Sequence, residues 1–246
     1  MDSSILFSNS QSDTVKTTRF LFENYVKGED DFASVFEDIF DVSKQLLFGE
    51  VSDKETMLFF LKKYYRNDYF IRHKFVKSFL SKKGGVTFFE LPLNNSRLDI
   101  GYVGDKSVAY EIKTDFDNYS RLSKQINDYS LFFENVYVIC PCDKEPAIRN
   151  IIPSYCGLIV YSEAYKNTSF TKVKDCSLSP NLSAKMMISL MLKSEKKSYF
   201  KETNEKKILG LYSFDQINNV LKKAIKKRLV NKSRVLIEEC KSIKTL

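Results

Sequence analysis

The feature that most constrains this chain is a change in its hydrophobic period near residue 86. Before that point, apolar residues recur every three or four positions, which is typical of helices. After it, three short segments alternate between apolar and polar residues with a period of two. The segments are 86–91 (VTFFEL), 97–103 (RLDIGYV) and 107–113 (SVAYEIK). They predict three strands joined by short turns.

The pattern that follows predicts how these strands are extended into a sheet. A helical segment at 116–133 precedes the apolar run 136–140 (VYVIC), and a short helix at 144–152 precedes the apolar run 157–161 (GLIVY). Continuous apolar runs of this length are typical of buried strands. The order of elements therefore predicts an α/β fold with a central mixed sheet flanked by helices, a meander first and then right-handed crossovers.

Helical periodicity lies on both sides of this central part. We expect three regions: a helical N-terminal extension over 1–66, a core over 67–165, and a helical C-terminal region over 166–246 that packs on the core.

Composition excludes several classes of protein. The chain has a single histidine, which argues against Ser-His-Asp hydrolases and against metal sites built on several imidazoles. Neither the phosphate-binding loop GxxxxGK[ST] nor the dinucleotide fingerprint GxGxxG occurs. No run of about 18 uncharged apolar residues occurs, so we expect no membrane span.

Charge and cysteine content indicate the partner and the compartment. The formal net charge is +8, which favours a polyanionic partner, with nucleic acid before a membrane. A solvated lysine-rich surface is the alternative explanation. Five scattered cysteines and an acidic N-terminus without a basic signal region indicate a reducing cytoplasm. The sequence leaves the oligomeric state open.

The candidate site lies in the second and third predicted strands. Glu-x-Lys occurs several times in the chain, but only Glu111–Lys113 ends an alternating strand that follows a strand carrying an acid, Asp99. Glu111 and Lys113 are two residues apart and therefore point to the same face of their strand. The alternative is a surface cross-strand cluster in which Lys113 offsets the charge of two acids.

The register of the hairpin decides whether Asp99 joins this pair. A two-residue loop at Gly104-Asp105 would place Asp99 opposite Tyr110 and send it to the wrong face. A three-residue loop, Gly104 to Lys106, would place Asp99 opposite Glu111. A catalytic site therefore requires the longer loop or a bulge.

The chemistry of the three residues suits phosphodiester hydrolysis. Carboxylate oxygens of Asp99 and Glu111 are hard ligands suited to Mg²⁺, with Mn²⁺ as a substitute, and Glu90 at the end of the first strand is a candidate further ligand. A metal held there lowers the pKa of a bound water. Lys113 would orient that water and screen the charge that develops on the phosphate.

These residues resemble the D…ExK core of the PD-(D/E)xK nuclease superfamily. More narrowly, the run from Ile71-Arg72 through Arg97-x-Asp99 and YEIKTD to Gln125-x-x-x-Tyr129 is similar to the sce7726 family of that superfamily. The resemblance covers roughly 68–230 and is specific around 97–136. It implies a restriction-endonuclease-like core, Mg²⁺ as cofactor, and Asp99, Glu111 and Lys113 as the metal-binding and water-handling residues.

The resemblance adds further candidate residues. Gln125 and Tyr129 match the QxxxY element of RecB-like nucleases, and their spacing places them on one helical face, where they would hold a phosphate or the carboxylates. An ordinary half-buried amide and aromatic ring is the alternative. Six basic residues are also candidates for nucleic-acid contact, two of them on the basic face of a predicted helix at 214–230, for which a solvated helix surface is the alternative. They are Arg72, Arg97, Arg121, Lys124, Lys222 and Lys226.

The sequence thus predicts a metal-dependent nuclease, an endonuclease acting on DNA in preference to RNA. Two alternatives remain open: a nucleic-acid-binding or assembly protein that keeps the nuclease-like fold without cutting, and a toxin of the RNase type.

Overall fold

A computed structural model describes residues 11–27, 32–41, 43–65, 67–164 and 167–242. Part of the predicted N-terminal extension therefore lies outside the described residues. The described chain forms two compact units, the first ending at Ile71 and the second running from Arg72 to Ser242.

The first unit is helical, as its apolar periodicity predicts. Its core is aromatic: the ring of Phe36 lies 4.6 Å from that of Phe40, 5.9 Å from that of Phe48 and 5.8 Å from that of Phe60. Its helices are α1 (Gln11–Lys27), α2 (Phe32–Phe40), α3 (Lys44–Phe48), α4 (Asp53–Tyr64) and the start of α5 (Asp68–Phe75).

The second unit contains a sheet and the helices around it. The strands are β1 (Val86–Leu93), β2 (Ser96–Val103), β3 (Ser107–Ile112), β4 (Asn135–Pro141), β5 (Gly157–Ala164) and β6 (Asn167–Lys174). The helices are α6 (Leu122–Ser130), α7 (Glu145–Ile151), α8 (Ala184–Ser189), α9 (Lys193–Phe200), α10 (Glu205–Leu211) and α11 (Phe214–Ser242). No helix within the described residues has the length and apolar character needed to cross a bilayer.

The six strands form one mixed sheet in chain order, β1 to β6. Strands β1, β2 and β3 make an antiparallel meander. Strands β3, β4 and β5 are parallel to one another, and α6 and α7 provide the crossovers between them. Strand β6 returns antiparallel to β5. The predicted mixed α/β sheet flanked by helices is confirmed.

The turn between β2 and β3 has the length that the candidate site requires. Val103 pairs with Ser107, so three residues, Gly104 to Lys106, form the loop, and the Gly104 amide donates a 3.0 Å hydrogen bond to the Lys106 carbonyl. The ladder continues to the pair Ile100 and Tyr110. Continued by one residue, this register places Asp99 opposite Glu111, so the turn meets the requirement that the sequence set for a catalytic site.

The main core lies on the sheet face that carries α6, α8, α10 and α11. Apolar side chains of the strands, such as Ala109, Val138 and Leu158, are fully buried there against Ile126 of α6 and Leu221 of α11. Burial of each such valine, leucine or isoleucine side chain contributes about 1.5–3 kcal/mol. On the other face, the ring of Phe75 lies 5.0 Å from that of Tyr110 and 5.1 Å from that of Phe170. Apolar side chains therefore cover both faces of the sheet at β3, the strand that carries Glu111.

Strand β6 corrects the prediction that residues 166–246 are helical throughout. The segment NTSFTKVK lacks the apolar run that marked β4 and β5, but it alternates and is rich in β-branched residues. Its lysines suit an edge strand, because charged side chains there discourage pairing with a further chain.

Helix α6 is shorter than the predicted helix at 116–133. The carboxylate of Asp117 accepts hydrogen bonds from the Thr114 amide and hydroxyl, both at 2.7 Å, and Asn118 accepts a 2.6 Å bond from the Ser120 hydroxyl. Side-chain bonds of this local kind compete with helical backbone bonds. The helix therefore begins at Leu122, after a loop that leads away from Lys113.

Candidate active site

The carboxyl end of β3 carries a buried ion pair. Glu111 is 2% exposed and Lys113 is 6% exposed, and the Lys113 ammonium lies 2.8 Å from Glu111 Oε1. The parallel partner β4 holds this end in place, since the Lys113 amide donates a 2.8 Å bond to the Ile139 carbonyl. Removing two charged groups from water to this extent costs free energy unless each is paired and hydrogen-bonded.

Helix α6 supplies the remaining partners of this pair. Gln125 and Tyr129 are four residues apart and face the sheet together. The Lys113 ammonium donates a 3.0 Å hydrogen bond to Gln125 Oε1, and the Tyr129 hydroxyl lies 2.7 Å from Glu111 Oε2. The structure thus brings together four of the predicted site residues.

The Tyr129 hydroxyl has more acceptors than it can serve. It lies 2.8 Å from the Arg97 carbonyl as well as 2.7 Å from Glu111 Oε2, and it has one proton to donate. When Glu111 is ionised, only one of these two acceptors receives that proton. Burial raises the pKa of Glu111 above its ordinary value, against the opposing effects of Lys113 and Tyr129. Burial and the nearby Glu111 also raise the pKa of Tyr129, so its hydroxyl stays protonated.

Asp99 lies on β2, one residue beyond the last residue that pairs with β3. Beyond the Ile100–Tyr110 pair, its Oδ2 accepts a 2.7 Å hydrogen bond from the Ile112 amide. Asp99 is half-buried and lines the same cavity as Gln125. Its carboxylate also contributes to the raised pKa of Tyr129. Asp99 is therefore on the side of the sheet that carries Glu111, Lys113 and α6.

Glu90 and Arg72 are engaged with each other. Glu90 has a positive φ of 57°, and it has no pairing partner on β2 although both of its neighbours in β1 have one. Its carboxylate binds Arg72 Nη1 at 2.9 Å and lies 3.9 Å from Arg97 Nη1, and Arg72 lowers its pKa. Arg72 is 6% exposed and lies over the ring of Phe89 at 5.0 Å. Because Arg72 is buried in this contact, its guanidinium is not exposed to an external strand.

A cavity of about 510 Å³ opens beside Asp99 and Gln125. One wall is the tip of the β1–β2 hairpin, with Asn95, Ser96 and Arg97, and the other is the start of α6. Arg121 and Lys124 line the helical wall. Three of the six predicted nucleic-acid contacts, Arg97, Arg121 and Lys124, therefore meet at this cavity.

Asp128 was not identified from the sequence, although it joins the two walls. It is 6% exposed and accepts hydrogen bonds from Asn94 (2.8 Å), Ser96 (2.5 Å) and Lys124 (2.8 Å). Burial pushes its pKa up, but the bonds from Lys124, Ser96 and Asn94 outweigh burial and leave the pKa lowered. The i, i+4 spacing of Lys124 and Asp128 was a visible signal, whereas the hairpin partners depend on the tertiary fold.

Lys222 lies at the opposite end of β3 from the cavity. Its ammonium binds Glu134 Oε1 at 3.2 Å and the Asp105 carbonyl at 2.8 Å. Asp105 is in the turn before β3, roughly 20 Å from Glu111 at about 3.4 Å per residue. Lys222 therefore serves a separate structural contact, and Lys226, one turn further along α11, is half-buried. Neither lines the cavity.

The donors present fit a hard divalent cation. Among the described residues, no group of three or more His, Cys, Asp or Glu side chains could hold a metal. Mg²⁺ does not require one, because it binds through one or two carboxylates and retains water and phosphate oxygens. Glu111 accepts one bond on each oxygen, and a carboxylate has about four lone-pair positions. Asp99 and Glu111 therefore have the chemistry to hold the ion.

Comparison with known proteins defines the family. Residues 54–245, most of the chain, match the family described as Bacteriophage P4 protein cII. The chain belongs to this family. A curated relative, Protein cII of Enterobacteria phage P4, is 25% identical over 101 residues, which is 41% of this chain and 38% of the relative. The match thus spans well under half of that relative. No solved structure matches the chain significantly.

Proposed function

We propose that this cII family member is a metal-dependent nuclease that hydrolyses phosphodiester bonds of nucleic acid, DNA in preference to RNA. One observation carries the proposal: the Lys113 ammonium is held between Glu111 and Gln125, beside a basic cavity that Asp99 lines. The same proposal includes a restriction-endonuclease-like core of the sce7726 type. It also places the chain in a reducing cytoplasm, in keeping with its five free thiols.

Asp99 and Glu111 would hold the metal, Mg²⁺ or Mn²⁺. When bound, the ion would supply a Lewis acid that lowers the pKa of water and offsets charge on the phosphate. The burial that raises the pKa of Glu111 favours this arrangement, because a cation beside a desolvated carboxylate stabilises its ionised form. Asp99 is positioned by its hydrogen bond from the Ile112 amide.

The remaining residues bind and orient the substrate. Lys113 is fixed by two hydrogen bonds, so its charge is already oriented towards the place where negative charge develops on the phosphate. Tyr129 fixes Glu111 by its hydroxyl. Arg97, Arg121 and Lys124 would contact the backbone phosphates on either side of the reacting bond.

A second candidate is a protein with this fold that binds nucleic acid without cutting it. It is favoured by the state of Glu111, which is 2% exposed and already bonded on both oxygens. A site of this kind would keep the basic cavity and use the Glu111–Lys113 pair only to stabilise the end of β3.

Cleavage assays with and without Mg²⁺ or Mn²⁺ on plasmid DNA, single-stranded DNA and RNA test the proposal. We expect Lys113→Ala and Asp99→Asn each to reduce the cleavage rate at least about a hundredfold, since a positioned proton-transfer or charge-stabilising group contributes that much or more. Lys196→Ala is the matched control, because the Lys196 side chain is 11% exposed, close to the 8% of the Lys113 side chain, and is paired with a glutamate, Glu205, at 2.8 Å.

The outcomes separate the candidates. Cleavage at the parent rate in both site variants overturns the site, and RNA-only cleavage replaces DNA by RNA as the substrate. Binding without cleavage in either metal supports the second candidate.

A further inference from the structure

The cavity beside the site is bounded on two sides by elements that are fastened together. The tip of the β1–β2 hairpin forms one wall and the start of α6 forms the other. Asp128 on α6 accepts hydrogen bonds from Asn94 and Ser96 of the hairpin, at 2.8 and 2.5 Å. The gap between the walls is therefore set by bonds that exist before any ligand enters.

Asp128 also fixes the position of a cation that lines the cavity. It binds the Lys124 ammonium at 2.8 Å, while that side chain remains 55% exposed. The hydrogen bonds from Lys124, Ser96 and Asn94 outweigh burial and keep the pKa of Asp128 below its ordinary value. The fastening is therefore ionised at neutral pH, and Lys124 is held at the cavity rim.

The electrostatic character of the lining favours an anion. Arg97, Arg121 and Lys124 are its cations, and Asp99 is its one carboxylate. Arg97 is 70% exposed. The Arg121 guanidinium makes no hydrogen bond or ion pair with any described residue, so all five of its donors are available for a ligand.

The size of the cavity limits what can enter it. At about 510 Å³ it falls within the range of about 300–1,000 Å³ that holds a single small ligand. One nucleotide with its phosphate is a ligand of this size. A base-paired duplex is too large to enter a space of this volume, whereas an unpaired nucleotide can enter it.

The cavity also leads to the candidate reacting groups. Gln125 lines it, and the Oε1 of Gln125 accepts a 3.0 Å hydrogen bond from the Lys113 ammonium. Asp99 lines the same space. A nucleotide held there would therefore lie beside Asp99 and beside Gln125, the residue that binds Lys113.

We infer that the cavity between the β1–β2 hairpin tip and α6 binds one unpaired nucleotide, so the substrate is a single strand or a frayed end rather than intact duplex. The inference deepens the proposed function, on which it rests for the reaction that follows binding. Arg121 is the main phosphate contact, and Asn95 and Ser96 are the polar groups nearest to the sugar and base.

Binding in the presence of EDTA tests this without any cleavage. The probes are a fluorescent single-stranded oligodeoxynucleotide and a blunt hairpin duplex of the same sequence. We expect the single strand to bind at least about tenfold more tightly, and Arg121→Ala to weaken its binding about tenfold through loss of a charge-assisted contact.

The control removes the same charge elsewhere. Arg234 is exposed on α11, next to Ser233, whose hydroxyl accepts a bond from the Thr87 amide at the far end of β1. We expect Arg234→Ala to leave the affinity within about twofold, as one remote surface charge is largely screened at physiological salt. Equal affinity for single strand and blunt duplex, or equal effects of the two arginine variants, overturns the inference.

Failure of this inference and failure of the nuclease proposal give different results. Single-strand preference without metal-dependent cleavage supports the cavity and overturns the nuclease. Cleavage of blunt duplex as fast as single strand supports the nuclease and overturns the cavity assignment.

Discussion

A buried glutamate paired with a lysine lies at each end of strand β3. The two glutamates differ in how many hydrogen bonds they accept. At the carboxyl end, Glu111 pairs with Lys113 at 2.8 Å. At the amino end, Glu134 pairs with Lys222 at 3.2 Å and binds Ser107, the first residue of the strand. Both glutamates are shielded from solvent, at 2% and 8% exposed.

Glu134 accepts bonds from four donor groups. They are the Ser107 amide (2.7 Å), the Ser107 hydroxyl (3.2 Å), the Asn218 amide group (3.2 Å) and the Lys222 ammonium (3.2 Å). Burial pushes its pKa up, but these donors outweigh burial and lower the pKa. Glu111 has two donors, one of them the shared Tyr129 hydroxyl, and burial raises its pKa.

The contrast is between a buried acid with a full set of donors and a buried acid with few donors. A buried carboxylate with a full set of donors stabilises its ionised form and fastens a turn to a helix, as Glu134 does for the turn before β3. A buried carboxylate short of donors, beside a cavity, is stabilised further by an added cation. Residue type and burial alone would not distinguish the two.

The largest test exchanges each glutamate for glutamine. Glu134→Gln turns an amide N–H towards groups that are themselves donors and leaves Lys222 without its counter-charge. We expect the free energy of unfolding to fall by about 3 kcal/mol, as when one partner of a buried pair is removed. Cleavage per folded molecule should be unchanged.

Glu111→Gln should give the reverse pattern. Because burial already disfavours the charged form, we expect a smaller loss of stability than for Glu134→Gln and a loss of cleavage of at least about a hundredfold. Urea denaturation and initial rates measure both quantities. A larger stability loss for Glu111→Gln, with its cleavage retained, contradicts the comparison.

A smaller test removes one hydroxyl at each end. Ser107→Ala leaves the Glu134 amide without the 3.0 Å bond that it donates to Ser107 Oγ, and we expect a loss of about 1.5 kcal/mol in the free energy of unfolding with the rate unchanged. Tyr129→Phe leaves Glu111 with Lys113 alone. We expect it to slow cleavage by about tenfold, as loss of a residue that supports a metal ligand typically does. An unchanged rate would make Tyr129 a packing residue only.

The smallest test uses pH. Because the folded protein lowers the pKa of Glu134 below its ordinary value of 4.5, the stability that Glu134 contributes is complete above that pH and is lost as the pH falls through the folded value. The difference in the free energy of unfolding between parent and Glu134→Gln should therefore shrink on acidification below about 4.5. Denaturation curves at several pH values measure it, and a difference that grows on acidification would reverse the assigned sign.

Much of the sheet was predictable because its strands have strong local signals. Alternation marked β1 to β3, and continuous apolar runs marked β4 and β5. Strand β6 was missed because an edge strand has no need of an apolar run. The loop before α6 was missed because Asp117 and Asn118 form side-chain bonds that a hydrophobic period does not reveal.

The candidate site also contains residues that the sequence could predict and residues that it could not. Strand period was enough to place Glu111 and Lys113 on one face, whereas the position of Asp99 depended on a turn length that the sequence left open. The cavity depends on how the β1–β2 hairpin meets α6, so Asp128 could not be recognised from its spacing alone. Arg72 and Lys222 carry the right charge for phosphate contact, but the fold uses each of them in an ion pair.

The turn from Gly104 to Lys106 has a consequence for how this chain can vary. Side chains alternate between the two faces of a strand, so losing or gaining one residue in the turn would exchange the faces of β2 relative to β3. Asp99 would then be separated from Glu111 without being substituted. Changes of two residues would preserve the relationship. Insertions and deletions in this turn are therefore constrained by parity, independently of which side chains the turn contains.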